Sequence, residues 1–181
     1  MIQCFKTGAD GTQQITKPEP GCWISVVSPT NDEREWLRNE LGIVPEFVTA
    51  SLDDEERPHV DYDDDTRQTL VIVDCPSVED AVDTKSPDIV QYNTHPLTFL
   101  FLPEQDMLVT VTVRHNLTID TFVNKRLQRI NTNQRTRLLL LMLLNISHGY
   151  QIYLRNIQRQ FTKSEHELRD SMRNEELMKM L

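Results

Sequence analysis

Eight carboxylates fall within the stretch SLDDEERPHVDYDDD at 51–65: Asp53, Asp54, Glu55, Glu56, Asp61, Asp63, Asp64 and Asp65, gathered around Arg57. Their chemistry is that of hard oxygen donors. Mg2+ keeps several of its waters while touching one or two carboxylates, so weak, partly hydrated cation binding is easy for such a segment. The stretch lacks the Gly and the closing Glu of an EF-hand loop, so it specifies no chelating geometry. A solvated, charged connection is the plainer reading of the composition.

Other chemistry is sparse. There is no GxGxxG, Walker loop, HExxH, GxSxG or zinc-ligand cysteine set, and five glycines in the whole chain leave little for phosphate-cradling backbone. His59, His95, His115, His148 and His166 are far apart in sequence, and His148, in an apolar helix, reads as a core or interface residue. Paired carboxylates for acid–base work could be drawn from the acidic stretch, but nothing there supplies the apolar burial that would retune them. A phosphoester hydrolase would need a metal site of fixed geometry. The expectation is therefore a chain that is not an enzyme.

Cys4, Cys22 and Cys75 form no CxxC pair and sit among apolar or β-branched neighbours, as buried thiols of a reducing compartment do. The sequons at Asn116 and Asn145 read as chance. No signal peptide opens the chain, and the longest apolar run, Leu138 to Leu144, falls far short of the roughly 20 residues a membrane span needs.

The net charge of −9 conceals an asymmetry. Residues 1–120 carry 23 acids against 8 bases, residues 121–164 carry 8 bases and no acid, and residues 165–181 return to −2. An acidic part of that size would repel a phosphate backbone, which argues against nucleic acid. Pairing of the acidic part with the basic part, within the chain or between subunits, fits better.

The elements that must carry these residues can be read from pattern. MIQCFKT and GCWISVVSP predict strands separated by a turn region. Thr30 and Glu33 form a capping box for a helix whose apolar face is Trp36, Leu37 and Leu41 and which Gly42 ends. Pro45 starts a second, short helix through Phe47, Val48 and Leu52, after which the acidic stretch breaks regularity. RQTLVIVDCPSV, THPLTFLFLP and MLVTVTVR predict three further strands of a sheet with covered faces, the first two joined by a loop or hairpin with weak strand character near Ile89 and Val90. From about Leu117 the pattern is helical: Ile119, Phe122, Val123, Leu127 and Ile130 define one helix, and a second starts near Thr136. In the second, Tyr150, Leu154, Ile157, Phe161, Ser164, Leu168 and Met172 alternate spacings of four and three, the pattern of a coiled coil. Unbroken to residue 181 it would run roughly 70 Å, too long for the domain, so it must project, pack on other chains, or break near TKSEHE. The apolar stripe of the terminal EELMKML has no cap, and the segment is expected to continue in the natural protein.

Taken in order, Trp23-Ile24, Pro29-Thr30, Glu35-Trp36-Leu37, Leu41-Gly42-Ile43, Pro45 and Arg57-Pro58, followed by HPLTFLFLPEQDMLVTVTVR, resemble the amino-terminal domain of CorA-type divalent-cation transporters. The resemblance spans the whole chain. It implies an α/β class, an α/β/α sandwich with a mixed sheet (1–116), followed by a helical segment leading into a long stalk helix (117–181), and it makes the acidic stretch the connection between the second helix and a strand introduced by Arg57-Pro58. It further implies a truncated membrane protein: a cytosolic regulatory domain of a pentameric ion channel or transporter for Mg2+, with Co2+ or Ni2+ as further cargo. Such a domain lies on the cytoplasmic face of the cell membrane, and two membrane helices joined near Gly-Met-Asn would follow. Family members that sense Mg2+ often carry an acidic pair on the short helix, where this chain has Thr49 and Ala50. In that place the acidic stretch is expected to act as a diffuse cation-attracting surface, with Asp53, Asp54, Asp63 and Asp64 as weak Mg2+ contacts. The alternative is a soluble oligomerisation or interaction module built on the coiled-coil helix, with no transport role.

Overall fold

In the computed structural model of the chain, the residues described are 1–79, 90–125 and 127–179, without the side chains of 79, 128 and 173–179. Seven strands form one mixed sheet: β1 (Ile2–Gly8), β2 (Gly11–Ile15), β3 (Cys22–Val27), β4 (His59–Tyr62), β5 (Thr69–Glu79), β6 (Gln91–Leu102) and β7 (Met107–Thr112), in the order β2-β1-β3-β7-β6-β5-β4. Among the described residues only β3 and β7 run parallel, with Trp23 opposite Leu108 and Val27 opposite Thr112. The expected connection near Ile89 and Val90 lies mostly outside the described residues.

Helices α1 (Asn31–Asn39) and α2 (Pro45–Ser51) begin where the sequence places them. The Thr30 hydroxyl accepts the Glu33 N–H while the Glu33 carboxylate accepts the Thr30 N–H at 2.8 Å, so two otherwise orphaned donors are satisfied reciprocally. At φ +60° Gly42 turns the chain from α1 toward α2, a conformation that costs other residues a clash at Cβ. The buried Gln68 ties that turn to the sheet: its amide donates to the Gly42 carbonyl at 2.8 Å and accepts the Val44 N–H at 3.1 Å.

Strand alternation sorts the core into two layers. Cys4, Ile24, Val26, Leu70, Ile72, Leu100, Val109 and Val111 cluster with Leu37, Leu41, Phe47 and Val48 of the two helices. The intervening residues Phe5, Trp23, Phe99 and Leu108 point to the other face and are buried to 1% exposure or less. That second layer needs cover, which falls to the segment after β7: Ile119, Phe122, Ile130, Leu138, Met142 and Ile146 are its buried apolar residues. The regular helix expected over Ile119 to Ile130 is instead a single α turn, α3 (Leu117–Asp120), followed by a π turn (Thr121–Lys125) and a 3-10 turn (Leu127–Arg129). Threonines fasten this segment to the sheet edge. Thr12 donates to the Ile130 carbonyl at 2.8 Å, and Thr7 and Thr132 exchange N–H to hydroxyl bonds at 3.0 and 2.9 Å.

Two strands escape the residue pattern. The polar GTQQI forms β2, because pairing with β1 across the turn at Gly8 and Gly11 satisfies its backbone. The acidic HVDY forms β4, the strand that Arg57-Pro58 introduces, with all four residues exposed. The chain divides into two compact units, Met1–Ile146 and Ser147–Leu181. Helix α4 (Arg135–Lys179) begins in the first and runs through the second, unbroken at TKSEHE. In the second unit Leu154, Ile157, Phe161, Leu168 and Met172 are exposed.

Candidate functional site

Strand β4 separates the four candidate aspartates into pairs. Asp53 and Asp54 lie on the connection from α2, and Asp63 and Asp64 lie on the turn into β5, with four strand residues between them. Asp54 sits beside His95, which pairs with Cys75 of β5, whereas Asp63 bonds Gln68 just before that strand; at about 3.3 Å per residue the two pairs stand more than 10 Å apart and cannot share one ion.

The Asp63 pair is built as a turn. The Asp63 carboxylate accepts the Thr66 hydroxyl at 2.6 Å and the Thr66 N–H at 2.8 Å, and its own N–H donates to the Gln68 carbonyl at 3.0 Å. Those Thr66 bonds hold the carboxyl below its usual range. A depressed carboxyl contributes stability above its unfolded pKa and loses it as pH falls through the folded one. Asp63→Asn is therefore expected to flatten the fall in stability below about pH 4, measured by thermal denaturation from pH 2 to 6; an unchanged slope would show that the turn does not couple to folding. Asp64 and Asp65 stay exposed.

The Asp54 end is different. Asp53 caps a local turn, accepting the Glu55 N–H at 2.9 Å. Asp54 turns inward: one carboxylate oxygen pairs with the Arg114 guanidinium that follows β7, and the other is buried without a hydrogen-bond partner. That oxygen lies 3.6 Å from Nδ1 of His95 on β6, a side chain only 12% exposed. The pair opens on a polar cavity of about 350 Å³ lined by residues 54–58 of the connection, Asp74 of β5, residues 93–96 of β6 and Arg114. Beside it Glu56 stands 3.9 Å from His59. Among the described residues, no three His, Cys, Asp or Glu side chains converge on a point where they could hold a metal.

Sequence reasoning named Asp54 but missed His95 and Arg114, since strand pairing brings them together over 41 and 60 residues. Thr49 and Ala50 lie on the last turn of α2, where the Thr49 hydroxyl donates to the Pro45 carbonyl at 2.9 Å. His148 is exposed in the single chain, so it is not a core residue. The three cysteines are buried and free, as their neighbourhoods imply. Burial pushes the Cys75 thiol up to about 11, an inert thiol. Among the described residues no helix is long and apolar enough to cross a membrane.

The mixed sheet with its two short helices and the long α4 is a fold shared with solved domains of other proteins. The soluble domain of CorA from Methanocaldococcus jannaschii superposes with a TM-score of 0.70 at 20% identity, covering 93% of this chain and 64% of that one. The complete CorA magnesium transporter of the same organism gives 0.69 at 18% identity, covering 93% of this chain and 51% of that one, so the chain spans about half its length. The ZntB cytoplasmic domain from Vibrio parahaemolyticus gives 0.65 at 19%, covering 87% and 62%. No curated protein matches the sequence. The family described as CorA-like Mg2+ transporter protein matches residues 19–181, and the chain belongs to that family.

Proposed function

We propose that this chain is the cytoplasmic regulatory domain of a membrane transporter or channel for divalent cations, Mg2+ first, with Co2+ or Ni2+ as further cargo. Family membership over residues 19–181 carries the reading. In it the domain does mechanical work without catalysis. Cations at the acidic stretch, including Asp53, Asp54, Asp63 and Asp64, screen repulsion between neighbouring domains of a pentamer. Their loss lets the domains part, and α4, continuous from the sheet-bearing unit, passes the displacement toward the membrane.

The alternative, an oligomerisation module with a coiled-coil helix, draws on the exposed Leu154, Ile157, Phe161, Leu168 and Met172 at alternating spacings of three and four, with one longer step of seven. Sequencing the gene beyond the Leu181 codon separates the two. Two apolar segments of roughly 20 residues with Gly-Met-Asn at the end of the first are expected, and a stop codon there would remove the transport reading. For regulation, calorimetry should detect Mg2+ at millimolar concentrations and lose it when Asp53, Asp54, Asp63 and Asp64 are neutralised together. Unchanged heats would sink the acidic stretch as sensor.

A further inference from the structure

We propose that the cavity at Asp54 and His95 binds a first-row transition-metal dication such as Zn2+ or Co2+, through the buried Asp54 oxygen and His95 Nδ1, with water completing the shell. The proposal rests on the cation-response reading for its biological use, and narrows it from a diffuse surface to one pair of donors.

The geometry discriminates between occupants. At 3.6 Å the two atoms are too far apart for a hydrogen bond. A water bridging them at its usual angle would hold its partners about 4.5 Å apart, at roughly 2.8 Å to each. Two ligands at about 2.0–2.2 Å from one ion stand roughly 3.0–3.6 Å apart. The Asp54 oxygen is also buried without a hydrogen-bond partner, its nearest donor group being the His95 ring at 3.6 Å, a costly state that an ion would relieve.

The surroundings are set for a cation. Arg114 takes the second Asp54 oxygen and so aims the first into the cavity, as outer partners orient metal ligands. Asp54, Glu55, Glu56 and Asp74 outnumber Arg57 and Arg114 in the lining. The donor set decides the ion: an imidazole nitrogen suits Zn2+, Co2+ or Ni2+, whereas Mg2+ prefers an all-oxygen shell.

The test is calorimetric titration of the 181-residue chain with ZnCl2, CoCl2 and MgCl2. One Zn2+ or Co2+ per chain is expected, at least roughly tenfold tighter than Mg2+, with a loss of roughly tenfold or more in His95→Asn and in Asp54→Asn. The double variant Asp63→Asn, Asp64→Asn should bind as the parent does. A measurement on the parent chain needs no variant to fold: Co2+ should broaden the His95 ring resonances before those of the other four histidines. Equal Zn2+ affinity in His95→Asn, broadening centred on another histidine, or no binding at millimolar metal would each overturn the proposal. Because the gene sequence tests transport separately, the two readings can fail independently.

Discussion

Trp23→Ala is expected to lower the midpoint of thermal unfolding by roughly 6–20 °C. The side chain is fully buried, its ring sits 5.0 Å from that of Phe5, and its indole N–H donates to the Thr110 hydroxyl at 3.0 Å. It lies on β3 at the one parallel junction of the sheet, opposite Leu108. Truncation to alanine opens a cavity worth about 3–5 kcal/mol, and in a unit of this size each kcal/mol moves the midpoint by roughly 2–4 °C. Trp23→Phe should separate the two contributions, keeping the ring contact and losing about 1 kcal/mol with the hydrogen bond. A midpoint for Trp23→Ala within a degree or two of the parent would contradict the packed second layer.

Ile157→Pro should act on the other unit. Proline removes an intrahelical hydrogen bond and clashes with the preceding turn, a cost of about 3 kcal/mol. Residue 157 sits in the part of α4 whose apolar side chains are exposed, so little packing opposes the break. Helices that lack tertiary support are marginal below about 15 residues. Circular dichroism should therefore lose part of the helical signal of the segment after residue 157, while the unfolding midpoint of the Met1–Ile146 unit stays where it was. A common drop in both would show that the units fold as one. In a full-length protein the same substitution would interrupt the path by which α4 is proposed to carry displacement.

The sequence disclosed its local chemistry well and its long-range chemistry poorly. Thr30, Glu33, Gly42 and Pro45 act within a few residues of themselves, so both short helices could be placed from caps and breakers alone. The runs of β6 and β7 announced themselves through apolar and β-branched residues buried on both faces, and β5 through the TLVIV run with Leu70 and Ile72 buried. β2 did not, since GTQQI has polar side chains and forms only because β1 offers a partner. The π turn at 121–125 and the 3-10 turn at 127–129 defeated a periodicity argument, because anchoring by Thr12 and Thr132 to the sheet edge overrides helical regularity. At the site, composition pointed to eight carboxylates alike. Only the fold distinguishes Asp54, turned inward to Arg114 and His95, from Asp63, folded back on Thr66.

The single parallel junction also governs the order in which the chain can fold. β1 pairs antiparallel with β2 and β3, and β4 to β7 pair antiparallel in chain order, so each half is built from strands that follow one another in sequence. Joining them brings Trp23 to Leu108, a closure across 85 residues that no local contact assists. Such closures cost entropy before they return contacts, and they slow folding. During synthesis the first half must therefore wait at the ribosome exit with the apolar edge of β3 unpaired until β7 emerges. During that interval the unpaired edge of β3 offers backbone donors and acceptors that another chain could pair with.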